Sequence, residues 1–357
     1  MYSDMSFTSN SSSLHSFCLA PTPQSVRSTR LEYLNLSYEW TIPELFHDNL
    51  IRLWGEFTAG LLLKAGDDDD RPASVLELLS RFLSYVMQDE LAQSRVLFQS
   101  NCVEILLAQI ESDFLGDSSI QSIVSDLPGT ALQKQSIIRA YVAATNHIGR
   151  SSLRRAPKAA VFDGTSQAMR ACAVFGGQGN TKDYLQELRA LLETYTHVTE
   201  PILATAEDTF HTLLRDTSPS RMRHFRHGLK VLQWLQRPES APSTSYLLSA
   251  PISFPLIGLL QLTTYAVVCW SLKKSPGEVT QNFRGMTGHS QGIVVAAVLS
   301  TTTTWESFQH GLVQALTILL EIGAAAQDAT PSIDIPSSII AETSNNGEGS
   351  PSPMLNV

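Results

Sequence analysis

Residues 288–292 read Gly-His-Ser-Gln-Gly, a Gly-x-Ser-x-Gly pentapeptide set between two stretches of contrasting character. On its N-terminal side, Asn282 to Thr287 is short and suits a strand; on its C-terminal side, Ile293 to Leu299 is apolar and suits the start of a buried helix. Strand, sharp turn and helix together make a nucleophile elbow, in which Gly288 and Gly292 let the chain fold tightly around a side chain held on strained backbone. The Ser290 hydroxyl then faces a cleft, and the backbone N–H of Gln291, at the helix N-terminus, is placed to stabilise an oxyanion. The plainer reading of the same residues is a tight strand–helix turn that happens to carry a serine.

A second segment supports the first. In Ala171-Cys-Ala-Val-Phe-Gly-Gly-Gln-Gly-Asn180 an apolar run is followed at once by glycines, the pattern of a buried parallel strand and its C-terminal loop. Gly176, Gly177 and Gly179 permit a close backbone approach at the strand end where α/β sheets place their ligands. Asn180 suits a helix cap with Asp183 in the first turn, and Tyr184, Leu185, Leu188, Leu191, Leu192 and Tyr195 follow at helical spacing. With a serine elbow further along the chain, the loop reads as the other half of an oxyanion hole; a bare tight turn is the alternative.

Phe175-Gly-Gly-Gln-Gly-Asn180 resembles the oxyanion loop of the acyl- and malonyl-transferases of fatty acid and polyketide synthases, and Gly288-His-Ser-Gln-Gly292 resembles their nucleophile motif. Tyr246-Leu-Leu-Ser-Ala-Pro-Ile-Ser-Phe-Pro-Leu-Ile-Gly258, Gln261-Leu262, Tyr265, Gly228 to Leu235 and Ser350 to Leu355 are similar to the fungal fatty acid synthase β subunit, in its N-terminal acetyltransferase region. The resemblance covers about residues 70–357. It implies an α/β fold: a helical N-terminal module followed by a partial α/β-hydrolase-like acyltransferase domain with a parallel sheet and nucleophile elbow. It implies Ser290 as nucleophile and the N–H groups of Gln178 and Gln291 as oxyanion donors. The reaction implied is transfer of an acetyl or short acyl group from acyl-CoA to the phosphopantetheine of an acyl carrier protein. The synthase α subunit and the other β-subunit domains are the implied further partners, and no permanently bound cofactor is implied.

Two departures from that pattern matter. The family's histidine base lies well downstream of the serine, whereas the histidine that follows Ser290 here is His310, too early to match, and His289 is expected to point away from the hydroxyl. The acyltransferase large subdomain is therefore expected to be truncated at its C-terminal end, and the chain to transfer acyl groups poorly, since general-base assistance is worth about 10²–10⁴ in rate. Malonyl-selective members carry an arginine after the nucleophile. Residues 291–357 contain no Lys or Arg, and Leu312-Val-Gln-Ala-Leu316 stands where that arginine is expected. An apolar wall there suits an acetyl or longer unbranched chain and would leave a malonyl carboxylate unpaired.

Composition narrows the remaining possibilities. A net charge of −9 argues against nonspecific nucleic-acid binding. Cys18, Cys102, Cys172 and Cys269 lack metal spacing, and three of them sit in apolar text as expected core thiols, which fits a cytoplasmic chain. Leu256 to Leu272 is broken by Gln261, Thr263 and Thr264 and reads as a buried helix rather than a membrane span. The run Asp67 to Asp70 reads as a solvated loop, and no metal site is expected.

Three regions are expected: a flexible, Ser-rich 1–30; a mostly helical module over 31–150, with a short strand at Leu31 to Leu36 and helices from about Glu44 to Lys64 and from the capping box Ser74-x-x-Glu77; and the acyltransferase subdomain over 159–357. Arg150, Arg154, Arg155 and Lys158 mark a basic linker. Helices are expected at 182–197, 202–216, 228–236 and from Pro255 to Trp270, with a last one opened by Thr303-x-x-Glu306 through about Ile322 and a loose tail after Gln327. Arg221, Arg223, His224, Arg226, His227 and Lys230 form a second basic patch, either a solvated helix face or a site for coenzyme A phosphates or a carrier protein. The leading functional reading is the acyltransferase portion of a β subunit in fatty acid or specialised-metabolite biosynthesis. The alternatives are a noncatalytic remnant with a docking role and a serine esterase, the latter weakened by the lack of an Asp…His pair after Ser290.

Overall fold

The computed structural model describes residues 25–64, 71–92, 102–150, 153–154, 156, 171–177, 184–329 and 337–346. They fall into two units, Met1–Leu63 and Lys64–Val357. In the first, β1 (Val26–Tyr33) and β2 (Leu36–Pro43) pair antiparallel from Val26↔Pro43 to Tyr33↔Leu36, and α1 (Glu44–Lys64) follows. A single strand at Leu31 to Leu36 was expected here; the structure has a hairpin that begins five residues earlier and turns at Leu34. Alternation buries Leu31, Tyr33, Trp40 and Ile42 on one face of the ribbon. Arg27 to Arg30 carry no apolar signal and are recruited by pairing with Thr41 and its neighbours, which a linear reading does not reveal. The Thr29 hydroxyl meets His47 Nε2 of α1 at 2.7 Å.

The second unit begins with α2 (Val75–Ala92), α3 (Cys102–Ile110), α4 (Ile120–Asp126) and α5 (Ala131–His147). The apolar face of α2 buries Leu76, Leu79, Phe82, Leu83 and Val86 against α5 and α3, with Val75 partly buried at its start. Its start is stapled by Ser74 and Glu77: the Glu77 N–H donates to Ser74 Oγ at 3.2 Å, and the Glu77 carboxylate accepts from the Ala73 N–H at 2.8 Å. A π-helical turn, Glu111–Leu115, ends α3. It buries the Glu111 carboxylate, which accepts from Tyr141 at 2.8 Å, Arg150 at 2.8 Å and Arg154 at 3.1 Å. Two of the four cations expected on a solvated linker are therefore folded back onto a buried acid; Arg155 and Lys158 lie outside the described residues.

The rest of the unit is β3 (Ala171–Phe175), α6 (Tyr184–Thr194), α7 (Thr196–Arg215), α8 (Pro219–Met222), α9 (Val231–Gln236), α10 (Thr244–Leu247), α11 (Ala250–Ser271), α12 (Pro276–Thr280), β4 (Phe283–Gly288), α13 (Gly292–Thr301), α14 (Trp305–Ala329) and α15 (Ser337–Asn345). The described chain is mostly helical, with one small parallel sheet in which β3 and β4 pair from Ala171↔Phe283 to Phe175↔Gly288. Several boundaries move. α7 starts at Thr196 rather than 202, because Pro201 sits close enough to the helix start to forfeit only one bond. α11 begins at Ala250 with Pro251 in its first turn, and carries Pro255 inside it. The cap of α14 is Thr304 with Ser307, not Thr303 with Glu306: the Ser307 N–H donates to Thr304 Oγ1 at 3.1 Å, and Ser307 Oγ accepts from the Thr303 and Thr304 N–H groups. α14 runs on to Ala329, and the exposed α15 occupies part of the expected loose tail.

α11 is apolar around its whole circumference and sits at the centre of the core, enclosed by α6, α7, α13 and α14. Cys269 lies there, and burial pushes its thiol up to about 12. Cys102 is buried as expected, but Cys172 is exposed: β3 alternates, so Cys172 and Val174, the latter 70% exposed, stand on an open face of the two-stranded sheet. α11 and α14 approach closely through Gly323, where an added Cβ would lie 2.4 Å from the Ala250 carbonyl oxygen. We expect Gly323→Ala to force the helices apart and destabilise the chain by about 1–3 kcal/mol, read as a lower urea midpoint. An unchanged midpoint would mean that this contact does not set the helix spacing.

Candidate active site

The three residues between β4 and α13 are His289, Ser290 and Gln291. Ser290 has φ 53, a left-handed conformation that costs a residue with a Cβ roughly 1–2 kcal/mol. The surroundings hold it there. The His289 N–H continues the parallel ladder by donating to the Phe175 carbonyl at 2.9 Å. The Gly292 and Ile293 N–H groups then donate back to the carbonyls of His289 at 3.0 Å and Ser290 at 3.2 Å, closing the first turn of α13. A Cβ on Gly288 would sit 2.1 Å from the Gly292 carbonyl carbon, and one on Gly292 would sit 2.3 Å from the Phe175 oxygen. Both motif glycines are therefore required by close backbone approach rather than by a positive φ.

The loop after β3 reaches the serine. A Cβ on Gly177 would lie 2.9 Å from Ser290 Cβ and 2.9 Å from the His289 carbonyl oxygen, so Gly177 stands in direct contact with the elbow. Ser290 is exposed, and among the described residues its hydroxyl has no hydrogen-bond partner. The Gln291 N–H donates to no backbone carbonyl among the described residues, which leaves it open at the elbow. Gln178 and Gly179, read from the sequence as the second oxyanion donor and a loop glycine, lie outside the described residues, as does Asn180. His310 is exposed on α14 beside Gly311, which packs on Val298, on the order of 10 Å down α13 from the elbow; it does not reach Ser290.

Two glutamines add to the site in ways the linear sequence did not show. Gln261, read only as a polar break in an apolar helix, donates its Nε2 to the Gly176 carbonyl at 2.7 Å and so ties α11 to the glycine loop. Its signal was there: a lone amide in an otherwise apolar stretch. Gln291 was singled out for its N–H, yet its side chain is only 4% exposed, and both amide atoms are buried without partners among the described residues. The expected apolar wall differs too. Leu312, Ala315 and Leu316 are fully buried in the helical core, and Val313 and Gln314 face outward, so this segment does not line an open acyl cavity. No group of three or more potential metal ligands occurs among the described residues.

Ser290 at φ 53 thus stands on a tight turn between a parallel strand and a helix, with the glycine-rich end of β3 packed against it. Comparison with known proteins gives the family. Residues 25–148 match the N-terminal domain in fatty acid synthase subunit beta, and residues 173–356 match the starter unit:ACP transacylase in aflatoxin biosynthesis. The chain belongs to the fungal fatty acid synthase β-subunit family and corresponds to its N-terminal region. It is 32% identical over 349 residues to the fatty acid synthase beta subunit TOXC of Cochliobolus carbonum, covering 95% of this chain and 16% of that protein. It is 36% identical over 296 residues to fatty acid synthase subunit beta of Saccharomyces cerevisiae, covering 81% of this chain and 14% of that protein. To the fatty acid synthase beta subunit aflB of Emericella nidulans it is 38% identical over 245 residues, with 68% and 11% covered. The chain thus spans about a sixth or less of the length of these relatives.

The strain at Ser290 makes a sign prediction. At an ordinary position Ala outranks Gly in stability by roughly 0.5–1 kcal/mol. At residue 290 the order should invert, with Ser290→Gly more stable than Ser290→Ala by about 1 kcal/mol, because only Gly is unstrained at this φ. Thermal midpoints of the two variants measure it, and the ordinary order would show that the left-handed turn is absent in solution.

Proposed function

We propose that this region is an acyltransferase built on an α/β-hydrolase-like large subdomain over residues 159–357, behind an N-terminal module over 31–150 that helps join subunits. Ser290 Oγ attacks the thioester carbonyl of a short acyl-CoA. The C–S bond breaks, the acyl group moves to Oγ, and the serine proton ends on the coenzyme A thiol. The phosphopantetheine thiol of an acyl carrier protein then takes the acyl group and regenerates Ser290. The N–H groups of Gln291 and Gln178 hold the oxyanion in both steps, and Gln261 steadies the loop that carries the second. The observation that carries this reading is the left-handed Ser290 at the strand–helix turn with Gly177 packed against it. Membership of a family whose matched domain is described as a transacylase supports it.

Acetyl or a longer saturated chain is the preferred group, because residues 291–357 offer no cation to pair a malonyl carboxylate. Since no histidine among the described residues hydrogen-bonds the Ser290 hydroxyl, acylation should be slow and should respond to an added base. We expect acetyl-CoA to give an acetyl-enzyme mapped by mass spectrometry to Ser290, formed faster with imidazole present and absent from Ser290→Ala. No adduct at Ser290 even with imidazole, or equal labelling of Ser290→Ala, overturns the assignment. In the same assay malonyl-CoA should label Ser290 at least tenfold less than acetyl-CoA, and equal labelling would refute the substrate preference.

A further inference from the structure

We propose that the cavity beside the N-terminal end of α11 is a phosphate subsite for the phosphopantetheine arm that delivers or receives the acyl group. This rests on reading Ser290 as the nucleophile of acyl transfer. The cavity is about 180 Å³ and is lined by Arg223, His224, Arg226, Ser245, Tyr246 and Ser249 among others. Arg223 and Arg226 line it beside Ser245 and Ser249; the Ser249 hydroxyl is spent on the Tyr246 carbonyl at 2.6 Å and that of Ser245 meets Ser243 at 3.1 Å, so the two guanidinium groups are the donors that would take a phosphoryl group through charge-assisted hydrogen bonds.

The cations differ in how far they are already committed. Asp328 of α14 takes His224 at 2.7 Å and Arg221 at 3.0 Å, and Glu321 takes Arg221 at 2.9 Å. Arg223 reaches Asp328 only at 3.7 Å and is 68% exposed. Lys230 faces Glu207 of α7, whose neighbour is Asp208. Arg226 makes no ion pair among the described residues. Its guanidinium stands 5.9 Å from the centroid of the Tyr246 ring, and that ring is pinned by a 2.9 Å hydrogen bond from its hydroxyl to the Gly228 carbonyl and by His227 edge-on at 4.8 Å. The ion pairs to α14 therefore fix the frame of the basic patch, while Arg226 and the outer part of Arg223 keep charge for a ligand.

The spacing from the nucleophile fits the arm. Gln261 touches the Gly176 carbonyl, next to the glycine that packs on Ser290, and Pro251 at the cavity lies ten residues earlier on α11. Ten helical residues span ~15 Å. Val295 of α13 packs near Gly258, so the part of α11 before Gly258 projects past the elbow end of α13. The pantetheine arm from sulfur to phosphorus has roughly thirteen bonds, the reach of between four and five extended residues, or ~15 Å. The arm's reach matches the ~15 Å of α11 between Gln261, which holds the loop against the elbow, and Pro251, which lines the cavity.

Calorimetry on the full chain with 4′-phosphopantetheine and with pantetheine tests the proposal, and the same pair can be titrated into Ser290→Ala, where no chemistry occurs. The phosphorylated arm should bind at least tenfold more tightly. Arg226→Ala and Arg223→Ala should each reduce that ratio several-fold, while the remote exposed Arg215→Ala leaves it unchanged. Equal affinity for the two arms, or a preference that neither arginine variant alters, overturns the subsite. Repeating the titration with coenzyme A and with a holo carrier domain tells which source the arginines serve: the one whose binding they weaken. Loss of Ser290 acylation with the phosphate preference intact would sink the acyltransferase reading and spare the phosphate site, and acylation without the preference would do the reverse.

Discussion

α11 has no polar face, and the arrangement of the larger unit follows from the need to enclose it. Burying most of such a helix requires several partners, and α6, α7, α13 and α14 supply them, leaving a stripe of Phe254, Ile257, Gln261, Thr264 and Val268 partly open. Close approach along α14 is possible because Gly258 sits under Leu319 and Gly323 under the Ala250 carbonyl. The same helix then positions both halves of the candidate site. Its Gly258 packs near Val295 of α13, the helix that leaves the elbow, and its Gln261 holds the carbonyl of Gly176, the loop that faces the elbow. A core helix thus sets the relative position of the elbow and the glycine loop.

The elbow itself is a local conflict held by its neighbours. A serine at φ 53 is unfavourable alone, and the conflict persists because Gly288, Gly292 and Gly177 let three backbone segments meet around it. A Cβ at Gly288 or Gly292 would strike backbone atoms, which no rotamer change could relieve, and one at Gly177 would strike the His289 carbonyl and the Ser290 Cβ. The cost falls at the residue proposed to do the chemistry, and a strained turn leaves its hydroxyl exposed and without an internal partner. The side-chain amide of Gln291, buried and without a partner among the described residues, is a second local conflict at the same turn.

Charge in this unit is used mainly to fasten irregular segments. Glu111, on a π-helical turn, gathers Tyr141, Arg150 and Arg154, and Asp328 gathers Arg221, His224 and Arg223. In the first case a buried carboxylate fully satisfied by donors anchors the start of the segment that leads to β3. In the second, exposed pairs worth little individually hold the turn after α7 against the end of α14. Arg226, which is left out of that network, is distinguished by what its neighbours have already neutralised.

Much of this was legible along the chain. An apolar run ending in glycines marked β3, the short segment before the pentapeptide marked β4, a capping box marked α2, helical spacing marked α6, a long apolar stretch marked α11, and the pentapeptide marked Ser290. Those signals are local, so they survive without knowledge of the fold. The hairpin over Val26–Pro43 was half hidden, because strand pairing can recruit a polar segment such as Arg27 to Arg30. The ends of α7, α11 and α14 were misplaced, because tertiary packing outweighs a proline near a helix start or a competing cap. Leu312 to Leu316 looked like a wall, yet Leu312, Ala315 and Leu316 are core while Val313 and Gln314 face outward, and Cys172 looked like core and stands on an open sheet face. By itself, the sequence determined that a serine would sit on a tight turn between a strand and a helix, since that needs only neighbouring residues. The tertiary structure alone decided that Gly177 presses on Ser290, that Gln261 grips the loop, and that Arg221 is ion-paired while Arg226 has no ion pair among the described residues, because each depends on segments brought together only by burying α11.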